Sequence, residues 1–513
     1  MKAKVYLVGA GPGDAGLITV KGRQCIENAD VIIYDYLASP ALLKHASDTA
    51  ETIYVGKKGG DHTLSQDEIN SLILEKAKAN STVCRLKGGD PFIFGRGGEE
   101  AEVLAAKGIP FEVVPGVTSA IAAAAYAGIP LTHRKLTATL AFITGHEDPH
   151  KEESNIDWES LARGFGTLVF FMGVKNLPDI TQKLIANGKS PETPVALIRW
   201  GTTPGQITVT GTLDNIAEKV KKAGLKPPAI IVVGEVVDLR HVLKWYENRP
   251  LLGKRIVVTR AREQASDLVE RLADLGADCL EYPTIKVVPA TNGKPLADAI
   301  KHLSDYKWII FTSVNGVKYF FDQLFKMGKD VRALGHLRAA AIGPATANSL
   351  RACGINSDII PKNYQAESVV DAFRQQDLAG KKILLPRAKD ARPVLPVELR
   401  KMGAEIDEVI VYRTVKVQDN ADQLIEQLEA KTIDLITFTS SSTVRNFKAL
   451  VPPESFEKLM DGITIAAIGP ITADTAKELD FDVHITAESF TIPGLCEAIL
   501  QYYGKKNNKK QSN

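Results

Sequence analysis

The second half of this chain repeats itself in register. Val257-Val258-Thr259-Arg260-Ala261 returns as Leu384-Leu385-Pro386-Arg387-Ala388, an offset of 127 positions from 260 to 387. Leu275-Gly276-Ala277 returns as Met402-Gly403-Ala404, and Phe311-Thr312-Ser313 as Phe438-Thr439-Ser440, at that same offset. Ala341-Ile342-Gly343-Pro344 returns as Ala467-Ile468-Gly469-Pro470, offset by 126. Four matches in a nearly constant register predict two copies of one α/β unit. A further pair, Tyr282-Pro283-Thr284-Ile285-Lys286-Val287 and Tyr412-Arg413-Thr414-Val415-Lys416-Val417, is offset by 130. These β-branched segments are expected to be crossings between two lobes. One lobe then takes residues 252–287 and 415–503 and the other, inserted in it, residues 288–414. The Lys/Asn-rich tail, 504–513, is expected to be disordered.

The first half is organised around a different feature. After the apolar run Thr82 to Leu86, glycines crowd the stretch Gly88-Gly89-Asp90-Pro91-Phe92-Ile93-Phe94-Gly95-Arg96-Gly97-Gly98. Glycine lets a backbone bend sharply and lets a ligand approach closely. Pro91 holds Asp90 extended, and Glu99-Glu100 suit the opening of a helix. The interleaved Phe92, Ile93 and Phe94 argue for a pocket wall over a solvated turn. Other loops follow predicted strands: Gly9 to Gly16 after Val5 to Val8, Gly116 with Thr118 and Ser119 after Val113-Val114, and Gly201 after Val195 to Ile198. Asp35 stands at the carboxyl end of the strand Val31 to Tyr34, the edge where open parallel sheets bind ligands. Gly11, Gly13 and Gly16 match a dinucleotide fingerprint with Asp35 downstream, but the helix starts beyond the glycine turn, so nicotinamide is the lesser reading. Several backbone-lined loops suit an adenosyl ligand better. Two α/β lobes are expected, divided near Pro110 to Val117. Residues 241–251, with the break Asn248-Arg249-Pro250, read as a linker.

A length of 513 residues exceeds one core and predicts three or four domains. A formal net charge of +2 offers no case for nucleic acid or a membrane surface as partner. No apolar run is long enough to span a bilayer. Met1-Lys2-Ala3-Lys4 leads straight into a strand without a signal-peptide core. Cys25, Cys84, Cys279, Cys353 and Cys496 are scattered, without metal-ligand spacing or a disulfide framework. The expectation is a cytoplasmic protein with no metal site.

The motifs Val8-Gly9-Ala10-Gly11-Pro12-Gly13-Asp14, Tyr34-Asp35, Gly56-Lys57, Lys87 to Glu99, Val114 to Ser119, Thr144-Gly145-His146 and Phe171-Met172-Gly173 resemble the uroporphyrinogen-III C-methyltransferases, of the tetrapyrrole methylase family, over residues 1–240. The resemblance implies S-adenosylmethionine held by Pro12, Gly88, Gly89, Asp90, Ile93, Thr118, Ser119, Met172 and Gly201. It also implies catalytic roles for Asp35 and Lys57 and a homodimer formed through this half. On the residues alone, Asp35 could cap a helix, Lys57 could be a solvated lysine with Lys58 equivalent to it, and Met172 could be a core filler.

Residues 252–503 resemble uroporphyrinogen-III synthase, a duplicated two-lobed α/β fold of flavodoxin-like type. The carriers are Val258 to Ala261, Phe311-Thr312-Ser313, Ile342-Gly343-Pro344, Val411 to Thr414, Phe438 to Ser442 and Ile468-Gly469-Pro470. That family closes the linear tetrapyrrole hydroxymethylbilane into uroporphyrinogen III, inverting the last ring, without a cofactor. Tyr412 is the candidate to help the hydroxyl leave, with a strand tyrosine packing at a crossing as the equal alternative. Arg260, Thr312, Ser313, Arg387, Thr439 and Ser440 could receive substrate carboxylates, or Arg262 or Arg413 instead. The expected whole is a bifunctional enzyme that makes uroporphyrinogen III and methylates it twice to precorrin-2. The alternative is a methylase of another substrate fused to a non-catalytic two-lobed binding module.

Overall fold

The computed structural model describes residues 4–56, 64–79, 81–146, 155–260, 262–362, 365–416 and 421–511. Lys57 and Lys58 lie outside these, as do Ser512 and Asn513. The chain forms two compact units. Ile256–Arg271 with Cys279–Tyr502 make one; the residues up to Arg255, with Leu272–Asp278 and the chain's end, make the other.

In the first unit, β1 (Val5–Gly9), β2 (Val31–Tyr34), β3 (Glu51–Tyr54), β4 (Val83–Lys87) and β5 (Phe111–Val114) form a wholly parallel sheet ordered β3-β2-β4-β1-β5. Strands covered on both faces must be apolar on both. Val5, Leu7, Ile33 and Val83 enter one buried cluster, while Val8, Ile32, Cys84 and Leu86 enter another. That split follows the two-residue period of a strand. Ser65 opens the helix Gln66–Lys78 with the capping box its spacing predicts, and Thr19 caps the helix Val20–Glu27.

A second sheet holds β6 (Leu140–Thr144), β7 (Thr167–Phe171), β8 (Pro194–Arg199), β9 (Ile207–Thr212) and β10 (Ala229–Val233), ordered β6-β7-β10-β8-β9. Only β6 and β7 pair in parallel; the polar–apolar alternation from Gln206 produces β9, antiparallel to β8. The helix Ser119–Tyr126 packs Ala120, Ala123 and Ala124 against Val169, Ala196, Ile198 and Val232. The change of sheet thus falls after β5, within the expected stretch.

Residues 241–251 are no free linker. The helix Arg240–Leu243 begins the stretch, and Tyr246 and Leu251 are buried. Polar neighbours disguise this segment in the sequence, but the Tyr246 ring is covered, packed against Tyr126.

The duplicated half builds two further sheets from β11 (Arg255–Val258), β12 (Asp278–Glu281), β13 (Ile285–Pro289), β14 (Trp308–Phe311), β15 (Arg338–Ala341), β16 (Lys382–Ala388), β17 (Glu405–Lys416), β18 (Leu435–Phe438), β19 (Thr464–Ala467) and β20 (Val483–Thr486). Their orders are β12-β11-β18-β19-β20 and β13-β17-β16-β14-β15. The expected crossings are themselves strands. β13 and β17 pair antiparallel inside the second of these sheets, with Ile285 opposite Lys416 and Pro289 opposite Tyr412. Two extended β-branched segments satisfy each other's backbone groups more fully than water-exposed crossings would, so the change of lobe falls on either side of them. The final helix, Ile492–Gln511, carries its backbone through most of the tail expected to be disordered. Buried Leu495, Ile499 and Tyr503 anchor its first turns, and helix propagation from an anchored start is easy.

Candidate functional site

The loops after the strands of the first unit enclose a cavity of about 560 Å³. Gly11, Pro12 and Gly13 reach it from β1, Gly88 and Gly89 from β4, Ser119 from the alanine-rich helix, Met172 from β7, and Trp200 and Gly201 from β8. Several are glycine for steric reasons. A Cβ on Gly88 would come within 2.4 Å of Leu37 Cβ, and one on Gly201 within 2.4 Å of Ala123 Cβ. Leu37, Ile198 and Ile230 add apolar wall, while His146 and Lys175 bring polar groups to it. Such a mix is what a medium-sized ligand with both an apolar ring and polar edges requires. Met172 is more exposed than a core filler, 54% accessible, and left-handed at φ 55°.

Asp90, Ile93 and Thr118 lie outside this lining. Both oxygens of Asp90 are already used: Oδ1 accepts from the Phe92 N–H at 2.8 Å and Oδ2 from the Gly116 N–H at 3.0 Å. Asp90 therefore ties one loop to another and shapes the cavity from behind. Thr118 is buried at the start of its helix, and Ile93 is part of the exposed apolar rim with Phe92.

Asp35 also stands back from the cavity, although Tyr36 to Pro40 line it. Its Oδ1 accepts from the Leu37 N–H at 3.1 Å, and its Oδ2 lies 3.2 Å from Arg85 Nη2. Arg85 is part of a buried network that sequence reading missed. Glu100 Oε1 receives Lys87 Nζ at 2.7 Å and Arg85 Nε at 3.2 Å, and both basic side chains are almost fully covered. Burial, reinforced by the Arg85 charge, lowers the pKa of Lys87, while its bond to Glu100 opposes that fall. The signal was present: Arg85 and Lys87 share one face of a strand buried throughout. Glu100 does more than suit a helix dipole.

In the duplicated half the structure brings Tyr412 and Ser313 together, hydroxyl to hydroxyl at 3.0 Å. Tyr412 stacks on Tyr319, with centroids 5.9 Å apart. Ser313 and Ser440 follow β14 and β18 by the same interval and cap the helices Val314–Lys326 and Ser441–Lys448. Thr312 and Thr439 sit at the matching strand ends. Helices also begin after Gly343 and Gly469, beyond β15 and β19. Each lobe thus presents helix N-termini at its strand ends, where backbone N–H groups suit carboxylates. Arg387 does not: it donates to Glu408 at 2.6 Å and to the Arg392 carbonyl at 2.7 Å, and is buried by those contacts. Arg260 follows β11, and burial lowers its pKa. The side chain of Arg262 lies outside the described residues; Arg413 carries a buried Nε without a hydrogen-bond partner among them.

Among the described residues no group of acidic, histidine or cysteine side chains could hold a metal ion, and no helix is long and apolar enough to cross a membrane.

Comparison with known proteins divides the chain at the same place. Residues 4–217 match the family model of tetrapyrrole (corrin/porphyrin) methylases, and residues 266–497 that of uroporphyrinogen-III synthase. A porphyrin biosynthesis protein of Ruminiclostridium josui is 39% identical over 500 residues, covering 98% of each chain. An S-adenosyl-L-methionine-dependent uroporphyrinogen III methyltransferase of Methanosarcina barkeri is 56% identical over 240 residues, 47% of this chain and 94% of that one. A solved uroporphyrin-III C-methyltransferase of Thermus thermophilus, in complex with S-adenosylhomocysteine, is 41% identical over 46% of this chain and 99% of its own, with a TM-score of 0.40. The chain belongs to the family that joins a tetrapyrrole methylase to a uroporphyrinogen-III synthase.

Proposed function

We propose that this chain carries out two steps of tetrapyrrole synthesis. Its second half cyclises hydroxymethylbilane to uroporphyrinogen III, and its first half methylates that product twice to precorrin-2. The observation that carries the reading is the cavity of the first unit, where Pro12, Gly88, Gly89, Ser119, Met172 and Gly201 converge from separate strands. Its volume and mixed walls fit S-adenosylmethionine: apolar side chains for the adenine and backbone groups of the glycine loops for the ribose and amino-acid ends. S-adenosylmethionine supplies an electrophilic methyl group there. Asp35 acts on the pyrrole: its carboxylate, kept close by Arg85, accepts a hydrogen bond from a ring N–H and takes up the proton that the cationic, methylated macrocycle loses from another position to become neutral. Lys57 belongs to the same scheme by resemblance, as the group that neutralises a substrate carboxylate or returns a proton.

In the second half, restraint does most of the chemistry. Helix N-termini in both lobes hold the acetate and propionate groups, and the Tyr412 hydroxyl assists departure of water from the bilane. No cofactor is required for this half. The proposed setting is the cytoplasm, with a homodimer formed through the first half, for which Phe92 and Ile121 offer exposed apolar surface.

Supplying hydroxymethylbilane alone to the whole chain should yield uroporphyrinogen III. Adding S-adenosylmethionine should convert it to a dimethylated product by mass spectrometry. Accumulation of uroporphyrinogen I only, the product of uncatalysed closure, would refute the synthase assignment. Failure to methylate supplied uroporphyrinogen III would refute the other.

A further inference from the structure

The segment after Leu243, still within the first unit, is fastened to the loops that line the cavity. Thr202 is the meeting point. It is β-branched, buried and left-handed at φ 72°, and Trp200 nearby is left-handed at φ 50°. Branched side chains avoid that region, and such a conformation persists only where its surroundings over-determine it. Here they do. The Thr202 N–H donates to Gln206 Oε1 at 2.9 Å, its Oγ1 accepts from the Asp14 N–H at 3.0 Å, and its carbonyl accepts from the Tyr246 hydroxyl at 3.3 Å. Gln206 in turn donates to Glu247 Oε1 at 2.9 Å, and Thr208 donates to the same oxygen at 2.6 Å. The other Glu247 oxygen pairs with Arg240.

The β1 loop is gripped from the same side. Asp14 Oδ2 accepts from the Tyr126 hydroxyl at 2.7 Å. The Tyr126 ring packs on Trp245 and Tyr246, with centroids 5.0 and 4.8 Å away, and the Arg249 guanidinium lies over those same two rings. Burial pushes the pKa of Tyr246 up to about 12, so its hydroxyl keeps the proton it gives to Thr202.

We propose that Tyr246 and Glu247 are positioning residues for the methyl donor. They hold the Trp200–Thr203 loop, directly and through Gln206, in the strained form that shapes the cavity. The proposal rests on the reading of that cavity as the S-adenosylmethionine site. The residues touch no substrate; their effect is on the affinity of the preformed pocket.

The test uses the full chain. Calorimetry gives the Kd of S-adenosylhomocysteine, and steady-state kinetics give KM for S-adenosylmethionine, KM for uroporphyrinogen III, and kcat. Glu247→Ala should weaken the adenosyl ligand roughly tenfold, the worth of one hydrogen bond to a charged group. It should leave kcat and KM for the tetrapyrrole within about twofold. Gln206→Ala should act alike, and the double variant should be no worse than the more affected single one, because both cut one chain of contacts. Glu247→Gln, which keeps the acceptor oxygen, should restore most of the affinity. Should Glu247→Ala fail to fold, Tyr246→Phe removes only the bond to Thr202 and should weaken the ligand by roughly threefold. Unchanged Kd in these variants, or additive effects in the double one, would overturn the proposal. A wild-type chain that does not bind S-adenosylhomocysteine would instead overturn the reading of the cavity, and the positioning role with it.

Discussion

Glu100 gathers more buried charge than any other residue described in the first unit. Its Oε1 receives Lys87, Arg85 and, at 3.2 Å, Gln66 Nε2, while Oε2 is buried without a hydrogen-bond partner among the described residues. Removing one partner from a buried ion pair leaves the other charges uncompensated, which costs about 3–5 kcal/mol. Glu100→Ala should therefore destabilise the first unit by that amount in urea unfolding. A loss under about 1 kcal/mol would show that Arg85 and Lys87 find other partners. Arg85 also holds Asp35, so the network bears on chemistry. Asp35→Asn, nearly equal in volume, should leave S-adenosylhomocysteine binding within about twofold, because Asp35 stands behind the lining, and should slow methyl transfer by roughly a hundredfold or more. Turnover at the wild-type rate would remove Asp35 from the mechanism. At this scale the sequence showed the individual groups but not their pairings. Asp35 could be placed by its strand end, and the glycines by their crowding. The buried strand face marks Arg85 and Lys87 as charges in need of partners, but the sequence does not say which: Asp35 and Glu100 stand on other elements. Asp90 illustrates the converse: its place in a glycine loop is plain from sequence, but only the fold reveals that both its oxygens are occupied by amides.

Elements were legible where a short apolar run met a clear stop. β6 to β10 fall close to the runs that predicted them, and the caps at Thr19 and Ser65 are where the residue types require. Reading failed where an extended segment had no local sign of its partner. β13 and β17 look alike as crossings or as strands, because β-branched residues favour both; their mutual pairing decides it. Residues 241–251 look like a linker for a related reason, since Tyr246 stands among polar neighbours and is buried only by surfaces distant in sequence. Tyr412 lies on β17 and inherits its geometry from that pairing. Tyr412→Phe keeps the stack on Tyr319 and loses only the contact with Ser313, so its stability cost should be about 0.5–1.5 kcal/mol. If the hydroxyl assists departure of water, cyclisation should slow by roughly a hundredfold or more. A rate like wild type, measured as the ratio of isomer III to isomer I, would reassign Tyr412 to packing.

Over the whole duplicated half, the sequence repeat and the spatial lobes do not coincide. One copy contributes β11 to β15, the other β16 to β20. Yet β11 and β12 share a sheet with β18, β19 and β20, while β13, β14 and β15 share one with β16 and β17. Each sheet therefore takes the first part of one copy and the last part of the other. Matched strands occupy matched places: β12-β11-β18-β19 in one sheet corresponds to β17-β16-β14-β15 in the other. Exchange of this kind is a familiar consequence of duplicating a unit whose parts pack better across copies than within them. It sets which fragments can fold. Residues 382–503, one full copy, contain β16 without its neighbour β14, β17 without its neighbour β13, and β18 without β11. Their buried faces, including Leu384, Leu385, Leu435 and Ile436, would be left half covered. Residues 285–416 cut across both copies but contain every strand of one sheet and the clusters on its two faces, around Phe311 and Phe320 on one side and Trp308 and Phe373 on the other. The expressed fragment 285–416 should show a cooperative thermal transition and a dispersed amide spectrum. The fragment 382–503 should show neither. The opposite result, a folded repeat copy beside an unfolded 285–416, would mean that the copies fold as sequence neighbours and that the exchanged sheets are wrong.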